Sequence, residues 1–192
     1  SNNILGDNYS KLKDTSHYRK HYKAALDIAL SLDNDTLLLT SYNKMGNGYS
    51  EDKNTTQIGI DYYNKTIALA RKMNYESKLF LPTANLAWTY IDNGLYDKAR
   101  PYLENSWKLL GDRDDNLIRA QLLTLMGRYH MGINELEEAK SHFENTIQIV
   151  EKDTLILEAS IVYKEYAHLL FKLENYKEGF LALEKYDQYN SQ

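Results

Sequence analysis

Apolar residues recur along the chain at spacings of three and four rather than two, and only two prolines and nine glycines interrupt its 192 residues. That period puts them on one face of an α-helix and predicts an all-α protein. Over residues 84–90 the positions Leu86, Ala87 and Tyr90 share a face, after which Asp92, Asn93 and Gly94 supply a turn. Tyr96, Ala99, Leu103 and Trp107 carry the face of the next helix. Similar punctuation returns at Gly132-Ile133-Asn134 and at Glu174-Asn175, while polar segments at 111–116 and 151–154 separate each helix pair from the next.

The pairs repeat. Gly94-x-Tyr96-x-x-Ala99-x-x-x-Leu103 lies over Asn134-x-Leu136-x-x-Ala139-x-x-x-Phe143 and Glu174-x-Tyr176-x-x-Gly179-x-x-x-Leu183, so the small residues at 99, 139 and 179 stand 40 apart. The preceding helices keep register through Leu86-Ala87-x-x-Tyr90, Met126-Gly127-x-x-His130 and Tyr166-Ala167-x-x-Leu170. Small residues let helix backbones approach closely, and the large ones fill the space between them. A degenerate earlier unit reads as Leu38-Leu39-x-x-Tyr42-x-x-x-Gly46, followed by Ile60, Tyr63, Ile67 and Ala70, with residues 47–56 projecting between its helices as a loop. Before it, Tyr18, Tyr22, Leu26 and Ala29 mark a helix whose own partner is truncated or lies within residues 4–12.

The stretch Leu-Ala-x-x-Tyr-x-x-x-Gly-x-Tyr-x-x-Ala-x-x-x-Leu from Leu86 to Leu103 resembles the tetratricopeptide repeat, lengthened from the usual period to 40 residues as in many bacterial regulators, sensors and adaptors. The resemblance implies a right-handed α-α superhelix of about four helix-turn-helix units plus an N-terminal helix. Residues 1–14 form an N-terminal segment, read as a tag remnant and partial helix. A single domain is expected over 15–192, with units near 15–32 (partial), 34–73, 77–111, 114–151 and 154–190. The chain opens on Ser rather than Met and still reads as helical at its last residues, so the natural protein is expected to extend further.

In such arrays the first helices of successive units line a concave face. Carried over by position, the resemblance selects Leu81, Ala84 and Trp88, then Gln121, Thr124 and Arg128, then Ile161, Lys164 and His168, with Asn85 alongside. These would suit an extended protein or peptide ligand offering an apolar anchor and an acidic group. Replacing Trp88 and Arg128 by alanine is expected to abolish partner binding without unfolding the array. The Lys, Asn and Arg set by which some adaptors hold a C-terminal carboxylate is matched only at Asn85.

Composition narrows the remaining chemistry. With 23 Lys and Arg against 27 Asp and Glu the net charge is -4, which supplies no positive field for a phosphate backbone, so nucleic acid is not expected as a direct partner. No apolar run reaches the length of a membrane span. The absence of cysteine excludes disulfides, thiolate metal sites and thiol nucleophiles. His17 and His21 stand four apart without a third ligand and read as a solvated helix face. His130, His142 and His168 fall at repeat positions and read as structural rather than catalytic, with a role in binding left open for His168 alone. Asp112, Asp114 and Asp115 lack the calcium-loop pattern and instead suit the N-terminus of the next helix. Neither a phosphate-cradling loop nor a serine nucleophile elbow is present. No cofactor, metal or catalytic residue is expected, and the chain reads as non-catalytic.

The expected function is therefore a protein- or peptide-binding module, the sensing or scaffolding part of a larger bacterial transcriptional regulator or sensor kinase, in a cytoplasmic or periplasmic setting. The alternative is a free-standing structural adaptor that forms a homodimer through its terminal helices.

Overall fold

The computed structural model describes residues 15–191, with side chains from Arg19 onward. The proposed N-terminal segment 1–14, the side chains of His17 and Tyr18, and Gln192 lie outside the described residues. Among these residues the chain is all α-helix apart from one 3-10 turn, Glu76–Lys78. The helices are α1 (Thr15–Ser31), α2 (Asp35–Ser50), α3 (Thr56–Lys72), α4 (Phe80–Asp92), α5 (Tyr96–Leu110), α6 (Asn116–Gly132), α7 (Leu136–Lys152), α8 (Ile156–Lys172) and α9 (Tyr176–Asn190). Within each unit, neighbouring helices pack against each other and are joined by short turns, consistent with a tetratricopeptide-like solenoid. Residues 15–109 and 110–191 belong to two compact units.

The turns explain the period. At Gly94, Asn134 and Glu174, again 40 apart, φ is +69°, +66° and +59°. Each left-handed residue lets the next amide reach back over the helix end: Leu95 N–H donates to Tyr90 O at 2.8 Å, Glu135 to His130 O at 2.9 Å and Asn175 to Leu170 O at 2.8 Å. These are the bonds of a Schellman cap, which satisfies carbonyls that the helix leaves orphaned. The joins between pairs use the same device, with Asp33, Asn74 and Thr154 left-handed and Tyr75 and Leu155 donating to Ala70 O and Val150 O. Asp115 caps α6 as its acidic side chain suggested, accepting from Ile118 N–H at 3.0 Å.

In the unit over 15–109, Leu26 and Ala29 of α1 pack with Leu38 and Met45 of α2. The helix expected before Asn34 is therefore present. The expected loop over residues 47–56 is not: α2 continues to Ser50, and only residues 51–55 connect it to α3. Two glycines account for the difference, because both serve close packing rather than a turn. A Cβ on Gly46 would overlap the Tyr63 ring, and one on Gly59 would strike the Ser50 backbone. Gly46 thus stands where Ala87, Gly127 and Ala167 stand, so the repeat in α2 is Met45-Gly46-x-x-Tyr49 and not Leu38-Leu39-x-x-Tyr42. In α3, Gly59-x-x-x-Tyr63 sits 40 residues ahead of Ala99-x-x-x-Leu103. The connection is held from α1, where Arg19 Nε donates to Gly48 O at 2.7 Å and its other nitrogen to Thr55 Oγ1 at 3.0 Å, with the guanidinium over the Tyr49 ring.

In the unit over 110–191, Ala120, Ala139, Phe143, Val150, Ala159, Val162, Ala167, Leu169, Leu170 and Ala182 form one core. The alternation of alanines with large side chains is what the repeat spacing predicts, and a Cβ on Gly127 would overlap Phe143 as one on Gly46 would overlap Tyr63.

Candidate functional site: the first-helix faces

The residues selected for ligand binding all lie on first helices. Leu81, Ala84, Asn85 and Trp88 are on α4, Gln121, Thr124 and Arg128 on α6, and Ile161, Lys164 and His168 on α8. Ala84, Asn85, Trp88, Gln121, Thr124 and Ile161 are buried, Leu81, Arg128 and Lys164 half-buried, and His168 exposed.

Within the unit over 15–109, Asn85 meets α2. Its Nδ2 donates to Asn47 Oδ1 at 3.1 Å and, more weakly, to Asn43 Oδ1 at 3.5 Å. Asn47 Oδ1 also accepts from the Tyr63 hydroxyl at 2.9 Å, and Ser50 Oγ lies 3.1 Å from the same hydroxyl. Burial raises the Tyr63 hydroxyl pKa far above its ordinary value, so it stays a donor throughout the neutral range. In the corrected register Asn43 and Asn47 occupy the same positions on α2 as Ala84 and Trp88 on α4. Sequence reasoning misses both because it puts Leu39 where Gly46 belongs, two helical turns too early. The signal that would have found them is Gly59-x-x-x-Tyr63. The bonds that hold the cluster use Asn47 Oδ1 and Asn85 Nδ2, leaving a donor on Asn47 and an acceptor on Asn85 for water or a ligand.

Within the unit over 110–191, α6 and α8 face each other across two polar contacts. Gln121 Nε2 donates to Glu158 Oε1 at 3.1 Å, and Arg128 Nε lies 3.5 Å from Glu165 Oε1. Both contacts step by seven residues on each helix, or two turns, which is roughly 10 Å along the axis. Thr124, between Gln121 and Arg128, turns its hydroxyl back onto Ala120 O at 2.9 Å and offers no donor to α8. Glu158 and Glu165, like Asn43 and Asn47, went unselected: the positional rule takes Ile161, Lys164 and His168 and skips the residues beside them. Their presence changes the charge of this face, since Arg128 is matched by a carboxylate of the protein itself.

The tetratricopeptide-repeat family model matches residues 84–109, which are α4 and α5 apart from their ends. That stretch is a tetratricopeptide repeat, and the helix pairs that follow keep its register. Over 145 residues it is 23% identical to the response regulator aspartate phosphatase H of Bacillus subtilis (strain 168), a match that covers 73% of this chain and 38% of that protein. The array thus spans well under half the length of that relative. No helix among the described residues is long and apolar enough to cross a membrane.

Proposed function

We propose that the array is a non-catalytic protein- or peptide-binding module of a larger bacterial regulatory protein, and that it holds its ligand along the first helices. The observation that carries this reading is the amide cluster of Asn43, Asn47 and Asn85. A face needed for packing alone would be apolar, because buried amides are costly unless bonded. Here three amides stand together at ligand-facing positions with a donor and an acceptor uncommitted, the pair of groups that an extended peptide backbone presents. The similarity to a protein named for action on a response regulator supports a regulatory setting, and a response regulator is the partner class that name suggests. Neither of the two face-to-face contacts in the other unit has the nucleophile, base and orienting group of a catalytic site.

Selection of the purified array against a displayed random-peptide library tests the reading. Peptides should be recovered whose affinity falls about tenfold or more in an Asn85→Leu, Asn47→Leu variant that keeps its helical circular dichroism, the loss of one or two hydrogen bonds in a desolvated site. Recovery of none, or binding indifferent to these changes, would overturn it.

The alternative, self-association through a terminal helix, draws on a different observation. On α9 the side chains of Tyr176, Phe180 and Leu181 are 58%, 63% and 52% exposed, whereas the position of Phe180 is Lys140 one unit earlier and Arg100 before that. Light scattering decides it: a dimer at low micromolar concentration that Phe180→Lys returns to monomer favours the adaptor, and a monomer excludes it.

A further inference from the structure

Two positions meet between the first and second helix of each pair. In α2 and α3 they are Tyr49 and Tyr62, with ring centroids 6.2 Å apart and planes at 24°. In α4 and α5 they are Tyr90 and Tyr102, 5.6 Å apart at 31°. Forty residues on, in α6 and α7, both are histidine: His130 and His142 stack with centroids 5.1 Å apart and planes at 27°. In α8 and α9 the positions are Leu170 and Ala182. The contact that two tyrosines make elsewhere is thus kept in the third pair by two imidazoles, a side-chain type that can take up a proton where a phenol cannot.

The surroundings treat the two rings unequally. His130 Nδ1 lies 2.7 Å from Glu135 Oε2 in the turn, and the edge of Tyr129 approaches its ring at 5.3 Å. A proton on His130 therefore has a carboxylate beside it. His142 is half-buried, and its Nδ1 has no hydrogen-bond partner. Its acidic neighbour is Glu138, one turn earlier on α7. From α8, Lys172 brings its ammonium to Met131 O at 3.1 Å, next to His130, and Tyr166 bonds Glu144 on α7 through its hydroxyl. A second proton must settle on a ring that faces the first charge across the stack.

We propose that the His130 and His142 stack is an acid-sensitive joint, in which the neutral or singly protonated pair holds α6 against α7 and the second proton drives the two helices apart. Burial first, and the charge of His130 second, hold the His142 pKa below the ordinary 6.5, against a smaller upward pull from Glu138. A base whose pKa is lower folded than unfolded takes up its proton more readily when unfolded. Stability contributed here is present above about pH 6.5 and lost as the pH falls through that value. Since α6 also bears Gln121 and Arg128, the joint links acidity to the position of a ligand-facing helix.

The test is a pair of measurements on the intact chain. In a proton NMR titration of the wild type, the His142 ring should titrate below pH 6.5, and should move upward in a His130→Gln variant. Thermal melts at pH 7.5 and 5.5 should then show the wild type losing about 2–4 °C more than a His130→Tyr, His142→Tyr variant, which restores the tyrosine pair of the earlier units. A His142 midpoint at or above 6.5, or one unmoved by His130→Gln, would overturn the proposal. So would an equal acid response in the two melts. The titration needs only the wild type and a surface-compatible substitution, so it decides the matter even if the double tyrosine variant fails to fold.

Discussion

The ring of Tyr63 occupies the space that a Cβ on Gly46 would take, and its hydroxyl donates to Asn47 Oδ1, one residue further along α2. A packing contact and the amide cluster proposed to face a ligand are therefore fixed by one side chain. Gly46→Ala should force the ring aside and destabilise the fold by roughly 1–3 kcal/mol, the usual range for overpacking. Tyr63→Phe keeps the packing but leaves Asn47 with one donor fewer, at about 1–2 kcal/mol. Urea unfolding of both variants checks the pair of values. The second should in addition weaken any ligand whose binding depends on Asn47, while the first changes binding only through stability.

That relationship also shows what could be read from the chain. The helical class, the repeat, and the turns at Gly94, Asn134 and Glu174 follow from local chemistry: a period of three to four, and a left-handed residue every 40 positions. The register of α2 did not, because Gly46 looks the same in sequence whether it ends a helix or admits a ring. Only the partner, Tyr63, distinguishes the two. The positions proposed to face a ligand were legible as places on helices. Their bonding was not, since Glu158 and Glu165 are set against Gln121 and Arg128 by the packing of α6 on α8.

Thr154 holds φ at +54° in the join between α7 and α8. A β-branched residue in that region carries a steric cost of about 1–2 kcal/mol. Glycine removes the cost but loses more backbone entropy on folding, of order 0.5–1 kcal/mol. Thr154→Gly should therefore stabilise the protein by a few tenths to about 1 kcal/mol, visible as a Tm rise of roughly 1–3 °C. The reverse change at an equivalent cap, Gly94→Ala with φ at +69°, should lower the Tm. A rise there would show that the caps do not impose the left-handed conformation.

Arg128 and Glu165 have side chains 17% and 11% exposed, so the cost of removing one partner is the charge left behind. Arg128→Ala should destabilise by about 2–3 kcal/mol, less than for a fully buried pair, and Arg128→Met with Glu165→Met should recover most of it. Melts of the wild type, Arg128→Met, Glu165→Met and the double Met variant measure the coupling. Trp88, 7% exposed, behaves similarly in one respect: Trp88→Ala opens a cavity costing about 3–5 kcal/mol. The expectation that Trp88 and Arg128 can be cut back without affecting the fold is thus replaced by one in which both changes are compared at equal folded fraction.

Three tyrosines set the alkaline limit. Burial is the first cause that raises the hydroxyl pKa of Tyr63, Tyr163 and Tyr166, and hydrogen bonds to Glu151 at 2.6 Å and Glu144 at 2.9 Å are the second for the latter two. Each gives up its proton less readily in the fold than in the unfolded chain, where it ionises near 10. An acid with a raised folded pKa contributes stability that is present below the unfolded value and lost as pH rises through and above it. The Tm should therefore hold level up to about pH 9 and decline steadily beyond 10, and a fraction of the absorbance expected from all 17 tyrosines should appear only with the loss of helix. Glu151→Gln and Glu144→Gln should each move the onset of ionisation downward, because the carboxylate charge that opposes tyrosinate is gone. Absorbance that titrates fully near pH 10 while the helices remain intact would show that these hydroxyls ionise as readily in the fold as in the unfolded chain, contrary to the burial of Tyr63 and the bonds of Tyr163 and Tyr166 to carboxylates.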